Sequence, residues 1–184
     1  MTDALTDEAL LALKGNNAEL FSAVYQAYAG QVLGYLAAKG VSDPEAVTQD
    51  VFLAVLPRLD DLSGGASGLR TFVFSVAHAR MVDEHRKQNR APEQQEFEAE
   101  RDTRASESAE SAAMDLLAPG EVLKLLDTLG EDHREVLALR IVAGLTVEQV
   151  ADIMGKSAGA VKQLQRRALI TLREHSVVKE YVSS

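Results

Sequence analysis

Thr146-Val-Glu-Gln-Val-Ala-Asp-Ile-Met-Gly-Lys-Ser-Ala-Gly-Ala-Val-Lys-Gln-Leu164 decides how this chain is read. Two short apolar-periodic segments flank a glycine. A helix-turn-helix needs a small residue where its helices cross, and Ala151 stands there. Its turn needs a residue that accepts positive φ, and Gly155 follows four positions later. A branched apolar residue must lock the second helix, and Val161 comes six after the glycine. Val150, Met154 and Leu164 fill the other inward positions. Burying each large one stabilises by about 1.5–3 kcal/mol.

Projected at about 100° per residue, the second helix separates into two faces. Val161, Leu164, Ala168 and Leu172 fall inside; Lys162, Gln163, Arg166, Arg167 and Arg173 fall on or beside the outside. An apolar back with a basic, amide-bearing front suits the DNA major groove. There Arg pairs with guanine, Gln with adenine, and Lys holds phosphate. Ser157 stands where it can cap the helix and leave backbone amides for a phosphate.

The net charge conceals this basic face. The chain has 184 residues, 19 Lys+Arg and 28 Asp+Glu, a net charge of −9. Taken whole, that speaks against a nucleic-acid partner. Residues 91–119 alone carry 2 bases and 8 acids, net −6 of the −9. Residues 1–90 carry 8 and 11, and residues 120–184 carry 9 and 9. Between Ile153 and Arg173 there are five bases and no acid. A weaker basic stripe runs through Arg70, Arg80, Arg86, Lys87 and Arg90, diluted by Asp83 and Glu84. The 91–119 segment is rich in Glu, Ser and Ala and poor in apolar residues, so it reads as a flexible acidic linker.

The flanks read as helix throughout, because no segment alternates polar and apolar residues as a strand does. Leu20, Phe21, Val24, Tyr28, Val32 and Tyr35 predict an amphipathic helix over 16–39. Ser42-Asp43-Pro44-Glu45 starts the next, with Val47, Val51, Phe52, Val55 and Leu56 on one side. Residues 60–68 read as a loop because three glycines and two serines are costly inside a helix. A third helix is expected over 69–89, and four more over 121–128, 131–143, 146–154 and 157–175. The expected architecture is all-α: a helical domain at 1–90, the linker, and a helix-turn-helix domain at 120–184.

Composition excludes several classes. The absence of Cys removes disulfides, thiolate metal sites and thiol nucleophiles. The 46% apolar content can build a core, and no apolar run approaches the ~18 residues of a membrane span. The acidic N-terminus lacks the pattern of a signal peptide, so a soluble cytoplasmic protein is expected. His78, His85, His133 and His175 show no zinc-type pairing, and neither a phosphate loop nor a nucleophile signature occurs. No enzyme, metal or cofactor is expected.

The assembled pattern resembles an RNA polymerase sigma factor of the extracytoplasmic-function (ECF) group. Leu20-Phe21 through Tyr35-Leu36, then Asp43-Pro44-Glu45 leading to Gln49-Asp50-Val51-Phe52, are similar to the family's second conserved domain. The resemblance implies that Asp43, Glu45, Gln49, Asp50 and Phe52 dock on core RNA polymerase. It implies that Arg70, Phe72, Phe74, Arg80, Arg86 and Lys87 open and read the −10 promoter element. Leu129 through Arg140, followed by Gly144-Leu145-Thr146, is similar to the fourth conserved domain. Its helix-turn-helix then reads the −35 element through Ser157, Lys162, Gln163, Arg166, Arg167 and Arg173. An anti-sigma factor is a further implied partner. The chain departs from the family at Phe72, where Trp is usual, and at Ala46, Ala54, Ser75, His78, Ala79 and Gln163-Leu164-Gln165. These read as altered promoter preference. The alternative is a helix-turn-helix regulator that is no sigma subunit, which would have no use for the Gln49–Phe52 block.

Overall fold

The computed structural model describes residues 5–61, 63–90 and 126–182, and every regular element among them is helical. The acidic segment 91–119 and most of the helix expected at 121–128 lie outside the described residues. Four helices form the N-terminal part: α1 (Asp7–Leu13), α2 (Asn17–Ala38), α3 (Pro44–Val55) and α4 (Gly65–Arg90). Among the described residues the C-terminal part contains α5 (Glu131–Leu137), α6 (Val147–Met154) and α7 (Ala158–Val182). Among the described residues no helix is long and apolar enough to cross a membrane.

The expected periodicity builds the N-terminal core. Leu20, Val24, Tyr28, Val32 and Tyr35 of α2 are buried against Val47, Val51, Phe52 and Val55 of α3. Asp43 accepts the Ala46 N–H at 2.9 Å and caps α3, with Pro44 in its first turn. Leu56 leaves the buried face because the chain tightens into a 3-10 turn at Leu56–Arg58.

α4 corrects the sequence reading at its start. Ala66, Ser67 and Gly68 belong to the helix, not to a loop. Gly65 enters it at φ +62, and the Ala66 N–H donates to the Asp7 carboxylate at 2.6 Å. A carboxylate borrowed from α1 thus satisfies an amide at the positive end of a 26-residue helix. A Cβ on Gly65 would collide with that carboxylate, so the residue is needed there.

The last turns of α5 widen into a π-helix over Ala138–Val142, with the Ala143 N–H reaching back to the Ala138 carbonyl. α5 and α6 both pack on α7. The two parts also pack on one another: the π-helix lies on α2, and α6 lies on α4. Their buried side chains form one contiguous apolar core. Sequence reading anticipated the two helical units but not this contact between them.

Candidate nucleic-acid interface

The helix-turn-helix is built by local chemistry. Thr146 and Gln149 cap α6 reciprocally: the Gln149 N–H donates to Thr146 Oγ1 at 3.2 Å, and the Thr146 N–H to Gln149 Oε1 at 2.8 Å. Gly155 ends α6 in the left-handed region, φ 61 and ψ 33, as its place in the turn requires. The Ser157 hydroxyl accepts the Ala160 N–H at 3.2 Å and starts α7. Val150, Ala151, Val161 and Ala168 are buried, and Met154 and Leu164 pack against them. Lys162, Gln163, Arg166, Arg167 and Arg173 are all exposed. Gln165 instead turns inward and accepts from Arg140 Nε at 3.2 Å. Through Lys162, Arg166 and Arg167, α7 therefore shows solvent a basic face.

α4 divides its candidates. Arg80, Arg86 and Lys87 are exposed and line a cleft of about 300 Å³ with Asp50 and Asp83. The candidate docking residue Asp50 thus shares a cleft with candidate DNA-binding bases. Half-buried Phe72 lines a second cleft of about 320 Å³ with Arg58, Ser75 and Val76. Phe74 needs correction as a base-contacting residue. It is fully buried and meets the Tyr35 ring edge-on, with centroids 6.0 Å apart. Arg70 also stands apart from the other bases. Its guanidinium lies over the Tyr28 ring at 5.7 Å, and Nη1 reaches the Gly144 carbonyl at 3.5 Å.

On α3, Asp43, Glu45, Gln49 and Asp50 are exposed. Leu53, 66% exposed, and Leu56, 39% exposed, continue that side as apolar surface. Phe52 is corrected from contact residue to core residue. It is 2% exposed and packs edge-on with Phe21 and Tyr25.

Sequence reasoning missed a buried polar cluster between the two parts. Glu135 of α5 places Oε2 2.6 Å from Lys39 Nζ, and its Oε1 accepts from the Tyr35 hydroxyl at 2.6 Å. His78 Nδ1 lies 3.1 Å from the same Oε1. Burial raises the Glu135 carboxyl, but the His78 hydrogen bond, the Lys39 charge and hydrogen bond, and the Tyr35 hydrogen bond together bring it below its ordinary value. Burial, then the Glu135 charge and the hydrogen bond to it, push the Tyr35 phenol well above its ordinary range. The sequence gives little signal: Glu135 ends the polar stretch Glu131-Asp132-His133-Arg134-Glu135, just before the apolar run Val136–Leu139. Beside the cluster, Gln149 Nε2 donates to Thr71 Oγ1 at 2.7 Å and to Ser67 Oγ at 3.0 Å.

Comparison with known proteins bears on this geometry. A family model described as Sigma-70, region 4 matches residues 125–174, the span of the helix-turn-helix. The ECF RNA polymerase sigma factor ShbA of Streptomyces griseus is 34% identical over 132 residues, covering 70% of this chain and 69% of that protein. The chain belongs to the ECF RNA polymerase sigma factors. The ECF RNA polymerase sigma factor BldN of Streptomyces coelicolor is 26% identical to this sigma factor over 161 residues. That alignment covers 86% of this chain and 61% of the relative. Among solved structures, that of CnrH in complex with the cytosolic domain of CnrY superposes with a TM-score of 0.64 at 20% identity. It covers 95% of this sigma factor and 98% of that chain, a likeness of fold.

Proposed function

We infer that this chain is the promoter-specificity subunit of a bacterial RNA polymerase, acting in the cytoplasm and without catalysis of its own. Its α3 surface docks on the core enzyme, α4 contacts and helps open the −10 element, and α7 reads the −35 element. The observation that carries this is the exposed basic face of α7 on a capped helix-turn-helix, inside a region that matches the sigma family over 125–174.

The roles follow from chemistry. In this reading the exposed Arg166 and Arg167 bond base edges bidentately, and Lys162 neutralises phosphate. Arg80, Arg86 and Lys87, exposed on one cleft, in this reading hold the backbone of the opened strand. The cleft beside Phe72 offers an aromatic face to a base taken out of the stack. The acidic and apolar surface of α3 suits a basic, partly apolar helical partner on the polymerase. Tethering two modest DNA contacts through one polymerase raises their joint affinity above either alone. An anti-sigma factor that binds both parts would block these surfaces together.

Run-off transcription with core polymerase tests the reading. The chain added to core must produce a transcript with one defined start from a cognate promoter. Tight promoter binding without polymerase, and no initiation with it, would remove the sigma assignment in favour of a free-standing regulator.

A further inference from the structure

Arg140 belongs to the π-helix at the end of α5, and its guanidinium is used inside its own domain. Nη1 donates to the Leu145 carbonyl, and Nε donates to Gln165 Oε1 at 3.2 Å. Leu145 immediately precedes the Thr146 cap of α6, and Gln165 lies early in α7. One side chain therefore joins the end of α5, the start of α6 and the body of α7. Arg140 and Gln165 are both half-buried, so their contact forms partly out of water. A hydrogen bond from a charged donor is stronger there than at a free surface.

Gln165 is the odd member of its face. Val161, Leu164 and Ala168 stand at the i, i+3 and i+7 places of an inward stripe, and Gln165 takes i+4. An apolar side chain would fill that place at no polar cost. An amide there needs a hydrogen-bond partner to offset its desolvation, and Arg140 supplies one. The chain also departs from its family at this point, in Gln163-Leu164-Gln165. The π-helix fits the same purpose. It carries Arg140 on a wider turn, in which the Ala143 N–H reaches the Ala138 carbonyl and the Leu145 N–H reaches the Leu139 carbonyl, each at 3.1 Å. Such segments are rare and frequently sit at functional sites. What the polar pair adds is direction. Apolar burial is non-directional, whereas a planar guanidinium sets its donors in a fixed fork.

We propose that Arg140 and Gln165 are positioning residues for −35 reading: the guanidinium, anchored on the Leu145 carbonyl, holds Gln165 and so fixes the rotation of α7 that aims Gln163, Arg166 and Arg167 at base edges. The functional half of this statement rests on the sigma reading above. Arg166 follows Gln165 directly and Gln163 lies two residues before it, so a turn of α7 about its axis moves both. Discrimination by bidentate pairs depends on that aim, because both bonds must form on one base. Neither Arg140 nor Gln165 touches DNA in this account. Lys156 Nζ, 3.1 Å from Asp132 Oδ2, also ties the turn to α5. Asp132 is exposed, and an ion pair with an exposed partner contributes little.

The test uses the full-length chain, free and with core polymerase. In the free parent, nuclear magnetic resonance is expected to show the Arg140 Nε–H protected from solvent exchange. Gln165→Leu should remove that protection with helical circular dichroism unchanged. Binding by the polymerase holoenzyme is then measured on promoters with each −35 base pair substituted, over a range of salt. Gln165→Leu and Arg140→Met should each lower discrimination at one or two −35 positions about fivefold or more, with the salt slope unchanged. The double variant should add little to either single one, because both lose the same pair. Gln165→Glu keeps an acceptor for the guanidinium and should retain the parent's preference. Asp132→Ala, which breaks only the Lys156 pair, should retain it too. A salt slope lowered by about 1 in Arg140→Met, with binding weakened uniformly across sequences, would make Arg140 a phosphate contact and overturn the brace. Unchanged preference in a folded Gln165→Leu would overturn it as well, and so would an unprotected Nε–H in the parent. A parent holoenzyme without promoter preference, with the Nε–H still protected, would overturn the sigma reading instead.

Discussion

α4 and α7 are both long helices with several bases, and they hold those bases differently. α7 packs along one side, so Val161 and Ala168 go in while Lys162, Arg166 and Arg167 stay out. α4 is contacted by α1 at its start and by α2, α3 and α6 along its length. Arg70 is drawn toward the C-terminal part, and Phe74 into the core beside Tyr35. Only its second half, with Arg80, Arg86 and Lys87, presents bases to solvent. A helix packed on one side announces its working face in its sequence. A helix packed on three sides does not.

Substitutions that separate the two cases follow in order of expected size. Phe74→Ala should cost about 3–5 kcal/mol of stability, as loss of a fully buried aromatic ring does, measured by denaturant unfolding. Phe72→Ala should cost far less stability and instead slow promoter opening, read by permanganate reactivity of the opened strand. Equal stability losses at the two positions would remove the distinction drawn within α4. On α7, Arg166→Ala or Arg167→Ala should cost about 1–3 kcal/mol of promoter binding by the polymerase holoenzyme and relax the −35 preference. Lys162→Ala should weaken binding with little change in preference. Losses below a few tenths for both arginines would take them out of the interface. Thr146→Ala breaks the capping box and should lower stability by about 1 kcal/mol, seen as a lower Tm.

The smallest effect is set by pH. The Glu135 carboxyl is faced by Tyr35 and Lys39 from α2 and by His78 from α4. Its net shift is downward from an ordinary value of 4.5. The stabilisation it gives is therefore present above that value and lost as pH falls through the lowered one. Stability of the parent should decline more steeply than that of Glu135→Gln as pH drops below about 4.5. Parallel profiles would show that Glu135 gains nothing from its neighbours.

What could be read in advance follows the range of each interaction. The helix-turn-helix is specified within a dozen or so residues by Ala151, Gly155 and Val161, and the α3 start by Asp43-Pro44. Each rests on an interaction within one turn. The glycines and serines of 60–68 suggest a loop, whereas the start of α4 is capped by the Asp7 carboxylate, 59 residues away from Ala66. The Glu135 cluster spans 100 residues to Tyr35. No local pattern encodes such partners, and Glu135 at the end of a polar stretch looks like any surface glutamate. Phe52 and Phe74 sit in motifs similar to the family's, but their roles depend on which neighbours pack over them. The exposed candidates on α7 needed only the helical period.

The most direct measurement is run-off transcription by core polymerase, comparing the parent chain with Asp50→Arg. The expected result is a transcript of one defined start that requires both core and chain. Charge reversal at Asp50 should sharply reduce it, through weaker core binding, while helical content is retained. Equal transcript yield and equal core affinity from Asp50→Arg would contradict docking through α3. No transcript from the parent under any cognate promoter would contradict the function itself.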